Sequence, residues 1–181
     1  NTENWIGQVY LYRENEDIPI DDNGKAMLPL LQICLEGLPY IPDALKGSKV
    51  LTIFVSENMP GRLAYNGDAW VIREYKEEDV LVVKDIYMQS SSRIKPYPLK
   101  SQLITEDYPV WDSGDIPMDI EDELVEMEDS GEITDYYDYT DCFAGHKIGG
   151  YPNYIQSGID FGDGYEFMIQ IASDEKANLN I

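Results

Sequence analysis

The chain has 181 residues, a mass of 20.7 kDa and 35 acidic against 13 basic side chains, for a formal net charge of −22. A field of that sign repels nucleic acid and anionic lipid and attracts basic protein. Hydrophobic residues are 43% of the composition, enough for a core, but no apolar run reaches the roughly 18–20 residues of a membrane span.

The N-terminal stretch NTENWIGQVY has neither the basic start nor the apolar block of a secretion signal. Cys34 and Cys142 are too few for a disulfide scaffold, so a reducing, cytoplasmic setting is expected. Cys34, inside LLQICL, reads as a buried free thiol. The size suits one domain over 1–181, and the abrupt ends read as those of a piece of a longer protein.

In chain order, GQVYLYRE, MLPLLQICL and SKVLTIFVS predict strands, the second buried or at an edge because of Pro29. RLAY-NG-DAWVIREY predicts a hairpin with both Asn66 and Gly67 at positive φ. DVLVVKDIYM is expected to continue the sheet, and PLKSQLITE to add a strand. A helix is predicted near residues 116–129, capped by Asp115 with Pro117 in its first turn. Its apolar face is Ile120, Leu124 and Met127, and Gly131 ends it. EITDYYDYTDCF reads as a loop or irregular strand packed by its rings, and GYEFMIQIAS as a strand.

A weak internal repeat relates residues 6–55 to 148–181. Each copy opens on Ile-Gly, passes an Asp- and Gly-rich turn and ends an apolar strand on Gln-Ile, at Gln32-Ile33 and at Gln170-Ile171. ANLNI falls where the next strand of the second copy would approach. The fold class is therefore α+β, β-rich and mostly antiparallel, in two pseudo-duplicated halves with a short acidic helix.

The combination HKIGGYPNYIQ followed by FMIQI, with LPLLQI, LEGLPYIP and LTIFV earlier, resembles the YwqG-like family of bacterial proteins, a family of unknown function. The resemblance implies the same two-halved, β-rich fold and a setting near toxin genes. It supplies no catalytic residue. The acidic stretch Asp112–Asp141 departs from the family pattern.

Two sites follow from the residues. Between Asp112 and Asp141 there are 13 carboxylates in 30 residues, and from Ser101 to His146 no Lys or Arg. Rings among carboxylates suit a docking surface, because aromatics supply buried area and charges steer. Asp135, Tyr136, Tyr137, Asp138, Tyr139 and Asp141 are the candidate partner-binding residues, and a basic protein such as a toxin is the expected partner. The alternative is a small-molecule or enzymatic pocket lined by His146, Gly149, Gly150, Tyr151, Tyr154 and Gln156. Against it, Gly149-Gly150 and Pro152 describe a chain corner, with Gln156 satisfying loose backbone groups. One His and one Cys make no zinc pattern, no nucleophile elbow is present, and no cofactor signature is found.

Overall fold

The computed structural model describes residues 3–57, 65–86, 93–154 and 164–181. The chain is a strand-rich α+β protein with antiparallel sheets and one α-helix among the described residues. It divides into two compact units, residues 1–102 with 173–181, and residues 103–172.

The first unit is built on a five-stranded sheet. Its strands are β1 (Asn4–Ile6), β3 (Leu28–Cys34), β4 (Ser48–Val55), β5 (Trp70–Lys76) and β7 (Tyr97–Leu99), in the order β5-β4-β3-β1-β7. β3 and β4 lie inside the sheet and are buried on both faces, except for half-buried Lys49, which is why they read as unbroken apolar runs. Pro29 is accommodated at the end of β3, where the register shifts before Leu31. A separate ribbon pairs β2 (Leu11–Arg13) with β6 (Leu81–Val83). DVLVVKDIYM therefore leaves the main sheet instead of extending it. Val9 and Tyr12 pack with Met27 and Phe54, while Leu11 packs with Cys34, Val50 and Tyr75. Both cysteines are buried, and neither forms a disulfide.

Gly7 makes the step from β1 to the ribbon possible. Its φ is +71°, and an added Cβ would lie 2.5 Å from the Lys95 carbonyl oxygen. The kink takes the N–H groups of Tyr10 and Leu11 out of the main sheet's ladder, and the buried Gln32 amide replaces it. Gln32 Oε1 accepts from the N–H groups of Tyr10 (2.8 Å) and Leu11 (3.0 Å), and Nε2 donates to the Glu3 carbonyl (3.0 Å). Beside it the Cys34 N–H donates to Asn4 Oδ1 at 2.8 Å.

The expected hairpin at Asn66-Gly67 takes another form. Only Gly67 has positive φ, Asn66 Oδ1 accepts from the Ile72 N–H, and β5 pairs with β4. Arg62–Ala64, most of the predicted first strand, lies outside the described residues. PLKSQLITE contributes only its start, within β7 (Tyr97–Leu99). ANLNI turns back within the first unit, where Leu179 bridges to Asp174 and the Ala177 carbonyl accepts from the Lys95 N–H at 2.7 Å.

The second unit carries α1 (Met118–Ser130) and a two-stranded sheet of β8 (Lys147–Ile148) and β9 (Ile169–Gln170). Gly131, with φ +78°, ends the helix by donating to the Glu128 carbonyl. Pro117, and not Asp115, occupies the N-cap. The αL turn at Gly114 directs the Asp115 N–H to Ser113 Oγ. No residue of α1 is buried. Leu124 and Met127 are half-buried, but Ile120 of the predicted apolar face is exposed, as are Met118 and Val125.

Candidate functional site

The second unit concentrates the charge: residues 103–172 hold 18 carboxylates and a single lysine, Lys147. That lysine is sequestered. Its Nζ lies 2.9 Å from Asp107 Oδ2 and 3.0 Å from Cys142 Sγ, and its side chain is only 7% exposed. Among the described residues, no carboxylate between Asp115 and Asp141 forms an ion pair within its own unit, whose one lysine is held by Asp107. The last turn of α1 has no basic residue and carries Glu128 and Asp129 at the negative end of the helix dipole. This arrangement costs the isolated helix stability.

The tyrosines follow in a 3-10 turn, Tyr136–Tyr139. Asp135 caps it, its Oδ1 accepting from the Tyr137 N–H at 2.9 Å. Tyr136 stacks on Trp111 with ring centroids 4.1 Å apart, and Tyr137 lies 4.6 Å from Tyr136. A hydrogen bond that the Tyr136 phenol donates to Tyr137 holds its neutral form and raises it above its ordinary value, with desolvation adding to the effect. Thr140 is buried, and its N–H returns to the Tyr137 carbonyl at 3.2 Å. Tyr137 and Tyr139 are left more than half exposed, with Asp138 and Asp141 also exposed. The six predicted partner-binding residues thus divide by role. Asp135 and Tyr136 hold the turn, Tyr137, Asp138 and Tyr139 face solvent, and Asp141 accepts at its backbone carbonyl from the Tyr108 N–H. Trp111, the platform for the rings, carries no signal in the sequence beyond being an isolated tryptophan.

The glycine corner lies in the same unit. Gly149 and Gly150 have φ of +71° and +75°. The Gly149 N–H donates to the Met168 carbonyl at 3.0 Å, and the Tyr151 N–H to Asp107 Oδ2 at 3.0 Å. His146 Nδ1 accepts from the Ala172 N–H at 3.0 Å. Gln170 Oε1 accepts from the Asn153 N–H (2.8 Å) and Nε2 donates to the Gly145 carbonyl (3.0 Å). Gln170 thus satisfies loose backbone groups at this corner with its amide. Gln156 lies outside the described residues. Tyr154 is half-buried.

Asp107 joins these pieces. Its carboxylate accepts from the Phe143 N–H at 2.7 Å, from the Tyr151 N–H and from Lys147. Burial pushes its acidity toward the neutral form, but the two N–H groups and Lys147 outweigh that and hold the carboxyl below its usual range. Burial likewise pushes the Cys142 thiol up despite Lys147, which argues against a reactive thiolate. A Cβ at Gly150 would collide with Asp107 Oδ2. Gly150→Ala is expected to destabilise this unit by about 2–4 kcal/mol, combining left-handed strain with the clash, as read in urea from Trp111 fluorescence with Trp5 and Trp70 replaced by phenylalanine. No group of three or more His, Cys, Asp or Glu side chains forms a metal site among the described residues, and none of the described helices is long and apolar enough to cross a membrane. No family model and no curated protein matches the chain.

Proposed function

We propose that this chain is a non-enzymatic protein-interaction domain. Its acidic, tyrosine-bearing surface docks a basic protein in the manner of an immunity or antitoxin-like inhibitor of a basic toxin, a nuclease being the most fitting kind. The observation that carries this reading is that the carboxylates from Asp115 to Asp141 find no neutralising cation within their own unit among the described residues. The one lysine of that unit is spent on Asp107. Unpaired like charges cost the free protein stability, and a cationic partner relieves that cost. Exposed Tyr137 and Tyr139, together with Met118 and Val125 on the helix, offer apolar area among those charges.

The polar groups around Gly149 and Gly150 are committed to internal hydrogen bonds, which favours docking over a pocket there. The two glutamine-centred corners also support descent from one repeated motif. Ile6 and Ile148 pair with Leu31 and Ile169, and Trp5 and Lys147 with Gln32 and Gln170. Gly7 and Gly149 donate to the carbonyls of Leu30 and Met168. Each glutamine reaches back to the carbonyl four residues before its glycine, Glu3 or Gly145, and accepts from the N–H four residues after it, Leu11 or Asn153.

Capture of basic proteins at low ionic strength tests the docking reading. The Tyr137→Ser, Tyr139→Ser, Asp138→Asn variant is expected to lose a partner that the wild type retains, and salt is expected to release it. A partner retained equally by both baits would remove this surface from the account.

A further inference from the structure

The correspondence between the two corners has a consequence at the far edge of β9. In an antiparallel strand, backbone groups point alternately to one neighbour and to the other. In β3, Leu30, Gln32 and Cys34 face β1 and Asn4, while Leu31, Ile33 and Leu35 face β4. Leu35 donates to the Lys49 carbonyl at 2.9 Å, and Ile33 and Leu31 pair with Leu51 and Ile53. In β9 and the residues beside it, Met168, Gln170 and Ala172 face the β8 side through Gly149, Lys147 and His146. Ile169 and Ile171 therefore turn their N–H and C=O groups to the other side. There the sheet stops at two strands, and neither residue has a backbone partner on that side among the described residues. Both isoleucines are only half-buried.

We propose that this edge, at Ile169 and Ile171, accepts an added antiparallel strand from the docked partner, in the position that β4 holds against β3. The mode is strand addition, in which main-chain hydrogen bonds give affinity and alternate side chains give specificity. The added strand is apolar and β-branched where it faces the isoleucines, as Lys49–Ser56 is against β3. Its flanks are basic, because the unit that receives it presents 18 carboxylates and one paired lysine. The basic flanks rest on the docking reading above, whereas the edge itself rests on the hydrogen-bond pattern.

The test uses the full chain and a synthetic peptide carrying the sequence Lys49–Ser56 with lysines added at both ends. Hydrogen exchange is expected to slow at the Ile169 and Ile171 amides when the peptide is added. Ile171→Pro removes an N–H that the fold does not use, and is expected to weaken binding at least about tenfold while Trp111 fluorescence reports an intact unit. Ile171→Val, which keeps the N–H, is expected to bind as the wild type does. Exchange protection in the wild type decides the matter even if the proline variant fails to fold. No protection at these two amides, or binding indifferent to Ile171→Pro, would overturn the proposal, and equal binding of a glutamate-ended peptide would overturn its basic flanks and the docking reading they rest on. Protection that grows with protein concentration without peptide would assign the edge to a second copy and overturn it as well. Edge protection that persists in the Tyr137→Ser, Tyr139→Ser variant separates failure of the tyrosine surface from failure of the edge.

Discussion

Replacing Gln32 with leucine is expected to cost the first unit about 3–5 kcal/mol, a large share of the 5–15 kcal/mol that holds a typical domain together. The leucine is close in volume, so the effect isolates hydrogen bonding from cavity formation. Gln32 is fully buried, and its amide is the recorded partner of the Tyr10 and Leu11 N–H groups and of the Glu3 carbonyl. Without it those three backbone groups remain near the core with no ladder to join. Each buried polar group left unsatisfied costs roughly 1–3 kcal/mol, reduced where water reaches the half-exposed ones. Urea denaturation followed by circular dichroism checks this. Gln32→Glu should be damaging as well, because a carboxylate cannot donate to Glu3.

Asp107→Ala is expected to destabilise the second unit by about 3–5 kcal/mol, since breaking a buried pair leaves the other charge uncompensated. The Lys147 ammonium, on a side chain only 7% exposed in the native protein, would be left beside a thiol, and the N–H groups of Phe143 and Tyr151 would lose their acceptor. Replacing both members, Asp107→Ala with Lys147→Met, should recover part of the loss. The sign of the pH dependence follows from the lowered acidity of Asp107. In the unfolded chain an aspartate titrates at about 3.9. The stabilisation is thus fully present above that value and is lost as pH falls through the lower folded value. Trp111 fluorescence should show the second unit weakening in acid below about pH 4, and the double variant should show less of this weakening.

The parts of the fold that were legible are those whose burial repeats along the chain. β3 and β4 stand out because both faces are buried, and α1 because Pro117 and Gly131 bracket a helical spacing. Asp115 looks like the capping residue of α1 in sequence, but the left-handed turn at Gly114 directs its N–H to Ser113 and leaves Pro117 at the N-cap. β6 was misassigned because LVV suits a ribbon as well as a sheet, and only the kink at Gly7 decides between them. Gln32 and Gln170 were visible as repeat markers, but their role depends on backbone groups set loose by glycines far away in sequence. Asp107 was invisible. It sits in TEDYP without any local pattern, and its partners at Phe143, Lys147 and Tyr151 come from more than thirty residues further on. The charge of the proposed docking surface was plain from composition, but the placement of Tyr136 on Trp111, which presents Tyr137, required the fold.

Association kinetics with the captured basic partner, measured across ionic strength, test the central claim most directly. If the surface docks as described, neutralising Asp135, Asp138 and Asp141 to asparagine should lower the association rate and flatten its salt dependence. Tyr137→Ser with Tyr139→Ser should mainly speed dissociation, at least about tenfold. An association rate that does not change with salt, or a complex whose lifetime is the same with and without those two rings, would contradict it.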